Sequence, residues 1–428
     1  MFTKQTIKDV DLKGKTVLLR ADYNVPLQNG KITDDYRIKM SLPTVKYLHE
    51  HANKLIICSH LGRPKSAQEK EFSLAPVAKR LSELLDKKVE FVDDCVGKKV
   101  SDAAKNLPDK GILLLENVRF YEEEGNNDKN FAKKLASVAD VFVQDGFGVV
   151  HRDQASVTAV TEFLPSVAGL LVEKEADTIT NAMQKPERPL MAIVGGAKIS
   201  DKIELLDKLI PLADVIALGG AMANPFLAAQ GHDVAKSLIE KTDIPLAKEI
   251  IKKAEAENKK RRFALIIPHD VVAARAIDKT APTRIVELST HTMADIQNYP
   301  KRVPAEASKL NKDEMILDIG PFSASQIVGA IQLVKTVIWN GALGVTETPS
   351  LQGPVGPTAH GTHTVVEALL GDFGNKPFTI VGGGDTVGYV ESQNLVEMFG
   401  HVSTGGGASL ELMSGHKLPG VEALLDKK

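Results

Sequence analysis

Short, wholly apolar runs recur along this chain, separated by longer stretches with helical spacing. In the first half they fall at 17–19, 55–58, 89–92, 112–115 and 141–143. In the second they fall at 191–194, 215–218, 263–267, 336–339 and 378–381. They are rich in Leu and β-branched residues and too short for helices. Apolar side chains at every position suit strands covered on both faces. The intervening stretches, such as 202–210 and 74–85 (Leu74, Val77, Ala78, Leu81, Leu84, Leu85), place apolar residues three and four apart. Strands alternating with helices imply parallel sheets sandwiched by helices. Five strands per half predict two doubly wound parallel-sheet α/β domains. The boundary falls near 165–188, where Pro165 precedes an apolar helical stretch, 168–183, that ends before Pro186 and Pro189. A helix there would connect the domains stiffly.

The composition removes several function classes. With 428 residues, 43% hydrophobic, the chain has enough apolar material for two full cores. A net charge of −2 rules out a basic nucleic-acid domain, so any anion site must be a local focus of positive charge. No apolar run reaches the ~18 residues of a membrane span. Cys58 and Cys95 have no metal-ligand spacing and form no disulfide framework. The start lacks the long apolar core of a secretory signal, and a cytoplasmic location is expected.

Two glycine triplets lie near the C-terminal end. Gly382-Gly383-Gly384 is followed by Asp385-Thr386, and Gly405-Gly406-Gly407 by Ala408-Ser409. Each follows a β-like stretch and opens a segment that can be helical. Glycine admits φ > 0 and close approach of a ligand to the main chain. Free N–H groups at a helix start make an anion site. The first triplet, with Asp385 and Thr386 at hand for a metal ion or a phosphate oxygen, is the better phosphate loop.

Arginine is the minor base here, 12 of the 53 basic residues, so its positions are informative. Arg20, Arg37, Arg63, Arg119 and Arg152 all sit in or just after strand-end or turn motifs. In open α/β sheets, ligands bind beyond the carboxyl ends of the strands. Arginines converging there would grip phosphate or carboxylate through paired N–H bonds. His60 and His151 would add donors, and Asp22 and Asn24 would accept from hydroxyls. The ligand described is small, with a phosphate, a carboxylate and a hydroxyl. The alternative is that each arginine pairs with a neighbouring acid; Arg20 fits that alternative best.

The second half carries glycine turns after strands: Gly195-Gly196, Gly219-Gly220, Asn340-Gly341 and Gly382-Gly383-Gly384. Lys198 and Lys202 are four apart, which predicts one helical face near a helix start. Cations are disfavoured there by the dipole, so an anionic partner is implied. Glu347 would accept ribose hydroxyls. Together the turns read as a platform for a purine, a ribose and phosphates. Trp339 reads as core. Neither the Gly-x4-Gly-Lys-Ser/Thr loop nor a dinucleotide fingerprint is present.

These motifs, in this order, resemble the phosphoglycerate kinase family over essentially the whole chain. The markers are Arg20-Ala-Asp22-Tyr-Asn24-Val-Pro26, Ser59-His-Leu-Gly-Arg63, Leu115-Glu-Asn-Val-Arg119, Asp145-Gly-Phe-Gly-Val-Val-His-Arg152, Gly195-Gly-Ala-Lys-Ile-Ser-Asp-Lys202, Trp339-Asn-Gly341, Gly382-Gly-Gly-Asp-Thr386 and His401-Val-Ser-Thr-Gly-Gly-Gly-Ala-Ser-Leu-Glu411. The resemblance implies a monomer of two Rossmann-like domains joined by a helix and hinge. They would be an N-terminal triose-phosphate domain (1–168), a connecting helix (169–185) and a C-terminal nucleotide domain (186–403), with 404–428 packing back on the first. It implies transfer of the acyl phosphate of 1,3-bisphosphoglycerate to ADP, giving 3-phosphoglycerate and ATP, with Mg2+. By position, Asp22, Tyr23, Asn24, Arg37, His60, Leu61, Gly62, Arg63, Arg119 and Arg152 resemble the triose ligands. Gly195, Gly196, Lys198, Lys202, Gly219, Gly320, Asn340, Glu347, Gly383, Gly384, Asp385 and Thr386 resemble the nucleotide ligands. Asp385 is similar to the metal contact, and Arg37, Lys202, Gly383 and Gly384 would carry the transfer step.

The chain departs from the family pattern in places. Gln144, Gly146, Val149, Val150 and Gln154 alter the motif around His151, where a second histidine is missing. Ala221 stands for a glycine, Asn224-Pro225 for an aromatic-Thr pair, Phe322 for a lysine, and Ala342-Leu343 for a Pro-containing pair. Most of the changes beside the nucleotide touch its base and ribose platform rather than the phosphate side, and leave ATP or GTP preference and nucleotide affinity open. They motivate an alternative: a divergent paralogue that binds triose phosphate or nucleotide with weak or no turnover. A nucleotide-dependent oxidoreductase on a similar fold is disfavoured by the absent dinucleotide fingerprint.

Overall fold

The computed structural model describes residues 2–66, 69–288, 309–348, 350, 353 and 355–427. The chain forms two compact units, one of residues 1–180 with 404–428, the other of 181–403.

In the first unit the strands are β1 (Thr16–Arg20), a short hairpin of β2 (Leu27–Gln28) and β3 (Lys31–Ile32), β4 (Lys54–Cys58), β5 (Val89–Val92), β6 (Ile112–Leu115), β7 (Val141–Gln144) and β8 (Ser166–Ala168). Six of them make one sheet in the order β5-β6-β4-β1-β7-β8, with every pairing parallel. Alternate side chains leave a strand on opposite faces. Accordingly Val17, Leu19, Leu55 and Ile57 enter one core, and Leu18, Ile56 and Phe142 enter the other. Each fully buried side chain of this kind contributes about 1.5–3 kcal/mol. Both cysteines are free and buried in the second of these cores.

The second unit repeats the plan. Its strands are β9 (Leu190–Val194), β10 (Val215–Leu218), β11 (Ala264–Ile266), β12 (Asp270–Ala274), β13 (Arg284–Glu287), β14 (Met315–Ile319), β15 (Thr336–Asn340), β16 (Phe378–Gly382) and β17 (His401–Val402). The main sheet runs β11-β10-β9-β15-β16-β17, again all parallel. Trp339 is fully buried within it. The two doubly wound sheets match the expected fold class, and each of the ten expected apolar runs holds a strand.

Three features were not expected. An antiparallel sheet, β13-β12-β14, lies beside the second main sheet. In the sequence, β12 follows β11 after only Ile267, Pro268 and His269, beyond the end of the expected run at Ile267; Pro268, which cannot donate to a ladder, separates the two. The edge strand β8 is only three residues long, and each strand of the β2–β3 hairpin is shorter than any apolar run; β17 is the β-like stretch expected before the second glycine triplet.

The helix Leu170–Gln184 starts just after β8. The Asp145 carboxylate accepts from Leu171 N (2.9 Å) and Val172 N (3.4 Å). It thereby satisfies helix-start amides that have no intrahelical partner. A side chain at Gly169 would collide with that carboxylate. Burial pushes the Asp145 carboxyl up to about 8.

Residues 404–427 are fastened throughout to the first unit. Glu175 accepts from Thr404 N (2.6 Å) and its hydroxyl (2.9 Å). Gly420 N donates to Val150 O, Leu425 N to Ser166 O and Gln5 N to Leu425 O. Lys4 pairs with Asp426 at 2.7 Å.

Candidate functional site: two anion pockets at two switch points

In the first unit β1 lies between β4 and β7, the point from which the chain winds both ways. The crevice forms there, beyond the carboxyl ends of the strands. It is a concavity of about 340 Å³ lined by Asp22, Asn24, Arg37, His60, Gly62, Arg63, Arg119, Gly148, Val149, His151, Arg152 and Gly405 to Gly407. Four arginines and two histidines are thus gathered, Arg37 from the first turn of the helix Tyr36–His51 and the others from the segments after β4, β6 and β7.

Internal bonds set the geometry. Arg37 pairs with the buried Asp22. Asn24 Oδ1 accepts from Gly62 N at 2.8 Å, which ties the loop after β1 to that after β4. Arg119 donates to Gly62 O at 2.8 Å. The buried Asn117 behind it donates to Leu61 O (2.7 Å) and Phe72 O (2.9 Å). Burial and the charges of Arg20 and Arg152 lower the Arg119 guanidinium to about 10. A half-buried cation with like charges beside it calls for an anion.

Arg20 does not line the pocket. It is fully buried, donating to Ser156 Oγ (2.8 Å), to Ala21 O and to His60 Nδ1 (3.3 Å). Ser156 in turn donates to the buried Glu124 at 2.6 Å. Arg20 therefore orients His60. Its donation fills the Nδ1 lone pair, so the ring proton sits on Nε2. Burial and four arginines hold His60 well below its ordinary value, so the ring is neutral. His151 is also shifted down by burial and by Arg152, whose Nε donates to His151 Nε2 at 3.3 Å.

Several expected triose residues do not contribute side chains. Tyr23 is fully buried, its hydroxyl 3.1 Å from Ser41 Oγ and its amide on Ser59 Oγ. Leu61 is core. Gly405–Gly407 of the second glycine triplet also line this pocket. A Cβ at Gly407 would press on the His151 ring, and one at Gly148 on Asp22, Arg37 and Thr404. Both glycines are there for close approach.

In the second unit β9 lies between β10 and β15, and a second concavity of about 170 Å³ opens at that switch point. Its wall is largely apolar and glycine-rich, including Gly196, Gly220, Ala221, Leu227, Pro268, Val271, Ala342 and Leu343. Glu347 and Asp385 are exposed members of its lining. The glycine turns pack against one another. Gly195 N donates to Asn340 O, Gly196 N to Ala342 O, Gly219 N to Val194 O and Gly220 N to Leu343 O. A Cβ at Gly195, Gly220 or Gly341 would strike backbone of a neighbouring turn. These amides are occupied, so Gly195, Gly196 and Gly219 shape the floor and do not offer donors.

The loop after β16 differs. Gly383 has φ +90° and caps the helix Gly384–Ser392. The first amides of a helix have no intrahelical acceptor, and the dipole favours an anion there. Thr386 Oγ1 accepts from Gly341 N at 2.8 Å and fixes this loop to the one after β15. Lys202 is half-buried and donates to Asn340 Oδ1. Desolvation lowers its ammonium from the ordinary lysine value, while Asp201 and Asp385 pull it back up.

Lys198 and Lys202 do not share a helical face. The turn between them is a 3-10 segment, Ser200–Lys202, and the α-helix begins only at Ile203. Lys198 is exposed and paired with Glu240 at 2.6 Å. Gly320 does not line the concavity either. It allows the Asp270 carboxylate to cap the helix Pro321–Ile331, accepting from Phe322 N (3.0 Å) and Ser323 N (2.8 Å).

Sequence reasoning missed the acids that organise these loops. Asp318 accepts from Gly361 N (2.8 Å) and Ile319 N (2.9 Å), and burial pushes its carboxyl up to about 8. Asp145, Asp270 and Asp318 are each a buried acid at or next to a strand end; that placement was the available signal.

A family model described as phosphoglycerate kinase matches residues 7–416. The chain is similar to the phosphoglycerate kinase of Moorella thermoacetica, 44% identical with the whole of both chains covered. It is similar to the cytosolic phosphoglycerate kinase of Triticum aestivum, 48% identical over 99% of each. Among solved structures, phosphoglycerate kinase from Coxiella burnetii superposes with a TM-score of 0.79, at 34% identity and 98% coverage of both chains. With full-length relatives at this identity and a family model spanning nearly every residue, the chain belongs to the phosphoglycerate kinase family.

Proposed function

We propose that the chain catalyses the reversible transfer of the acyl phosphate of 1,3-bisphosphoglycerate to ADP, giving 3-phosphoglycerate and ATP in glycolysis. The observation that carries the reading is the pairing of two anion sites of different character on two sheets. One is rich in arginine and suits a small acid phosphate; the other joins an apolar slot to a helix start and suits a nucleotide diphosphate.

Phosphoryl transfer needs little covalent help from the protein. The attacking oxygen of ADP is already an anion, so no general base is required. Catalysis is then in-line positioning and neutralisation of charge on the transferring group. Arg37, His60, Arg63, Arg119 and Arg152 would hold the triose, with neutral His60 donating through Nε2–H. Asp22 and Asn24 would accept its hydroxyl. Lys202 and the amides of Gly383 and Gly384 would meet the phosphate oxygens from the other side, and Glu347 the ribose. Because the two pockets belong to different units, the reading includes a domain-closure step that brings the two substrates together. Closure would also exclude the water that competes for the phosphoryl group.

The residues at Asp385 fit a bound Mg2+. An exposed carboxylate in the first turn of a helix, beside a phosphate site, suits a cation that binds through one or two carboxylates plus substrate phosphates. Among the described residues no cluster of three or more His, Cys, Asp or Glu forms a resident metal cage. Bound with the nucleotide, Mg2+ would neutralise charge on its phosphate oxygens. We further propose a monomer acting in the cytoplasm, without nucleic-acid or membrane partners. In support, among the described residues no helix is long and apolar enough to cross a membrane. No observation favours the divergent-paralogue alternative.

The test is steady-state kinetics of Arg37→Ala and Lys202→Ala. Each should lower kcat by roughly 10²–10³, as removal of a charge-stabilising donor does, with the circular dichroism spectrum unchanged. Near-normal kcat in both variants would refute the assignment.

A further inference from the structure

The apolar slot of the second unit contains one polar side chain whose bonding is incomplete. Asn224 is fully buried at the slot, beside Leu227, Leu238 and Ala221. Its Nδ2 donates to Leu238 O at 2.9 Å, which fixes the orientation of the amide. Its Oδ1 is buried and, among the described residues, has no hydrogen-bond partner. A buried acceptor left unpaired is costly, and native structures rarely keep one without a use.

The other polar side chains lining the slot are accounted for. Asp318 has both carboxylate oxygens engaged, Oδ1 by Ile319 N and Thr362 Oγ1, Oδ2 by Gly361 N. Glu347 and Asp385 are exposed, and Asp385 stands at the start of the helix that suits the phosphates. A nucleotide with its phosphates at that helix start would put its flat apolar base in the slot. Among the described side chains lining the slot, the one buried atom without a partner is this acceptor, which calls for a donor on the base.

On the reading of this slot as the nucleotide pocket, we propose that Asn224 is a specificity-determining residue whose Oδ1 accepts a hydrogen bond from an exocyclic amino group of the base, selecting adenine over a purine that lacks the amino group. An apolar slot alone discriminates poorly between flat bases, whereas a buried polar group left unpaired by the wrong ligand discriminates well. The aromatic-Thr pair that Asn224-Pro225 replaces would not offer this acceptor.

Titration calorimetry of the full chain with ADP and with purine riboside 5′-diphosphate, which differ only by the 6-amino group, tests the proposal. Wild type should bind ADP about tenfold more tightly than the analogue. In Asn224→Leu the two should bind within about twofold. Equal binding of the two ligands by wild type overturns the proposal and needs no variant to fold. So does a preference that survives in Asn224→Leu. Failure of ADP to bind wild type at all would sink the nucleotide reading itself, and the proposal with it, and is thereby distinguishable from equal binding.

Discussion

Replacing Gly148 with alanine should damage the triose pocket while leaving the nucleotide pocket untouched. A Cβ at this position would lie well under 3.0 Å from Asp22 Oδ2, 3.2 Å from Arg37 Nη1 and 3.3 Å from Thr404 O. Neither side of this contact yields easily. Asp22 is buried and held by Arg37 and by Asn24 N at 3.1 Å. Thr404 is anchored to Glu175. Relief therefore needs the Asp22 carboxylate to move by roughly 1 Å, carrying Arg37 with it, and a displacement of that size can cost about 10²-fold in rate. Overpacking of a filled site costs about 1–3 kcal/mol, equivalent to roughly 2–4 °C of Tm per kcal/mol for a unit of this size. The assay is the coupled reaction with each substrate varied in turn, beside a thermal melt. Expected are a fall of about 100-fold in kcat/KM for 3-phosphoglycerate, an unchanged Kd for ADP and a Tm lower by several degrees. A variant with normal kcat/KM for 3-phosphoglycerate would show that the Asp22–Arg37 geometry does not matter to the substrate.

His60 has its proton affinity depressed by burial and by Arg20, Arg119, Arg37 and Arg152. Below pH 6.5 the unfolded chain would therefore take up a proton that the native ring refuses, and stability should be lost as pH falls through that value. NMR should find the ring neutral with its proton on Nε2 at pH 6; a protonated ring there would contradict the pocket electrostatics. In the second unit, Glu314 is held down at about 2, chiefly by its bonds to Arg284. Its contribution is present above the ordinary glutamate value of 4.5 and lost as pH falls toward 2. Arg284→Ala should shift the acid unfolding midpoint of that unit upward, and an unmoved midpoint would refute the role. Thr404→Val removes the hydroxyl bond to Glu175 and should cost about 1 kcal/mol in denaturant unfolding; no loss would mean the returning chain is held elsewhere.

Strand positions were legible because a strand buried on both faces must be apolar throughout, and every such run became one. Strand order was not, because the sequence does not say that β1 neighbours β7 across more than a hundred residues. The arginine pocket was legible from strand-end placement, but the acid pairing expected of Arg20 falls to Arg37, while Arg20 is buried on Ser156, Ala21 O and His60. The lysine pair was misread because four-residue spacing means a shared face only within an α-helix, and the turn at Ser200–Lys202 is 3-10. The glycine turns were half legible. Their close packing follows from the residue type, but whether an amide is free or spent depends on which loop lies opposite. Gly220 meets Leu343 O, while the helix start at Gly384 has no such partner built into its own helix. Asp145, Asp270 and Asp318 escaped notice because a buried capping acid has the same letter as a surface one.

The most direct test of the central claim is a coupled assay that supplies 3-phosphoglycerate, ATP and Mg2+ and follows formation of 1,3-bisphosphoglycerate, with each component omitted in turn. The account predicts turnover that needs all three and that Lys202→Ala abolishes to within roughly 1% of wild type. Turnover independent of 3-phosphoglycerate, or none with all three present, would contradict it.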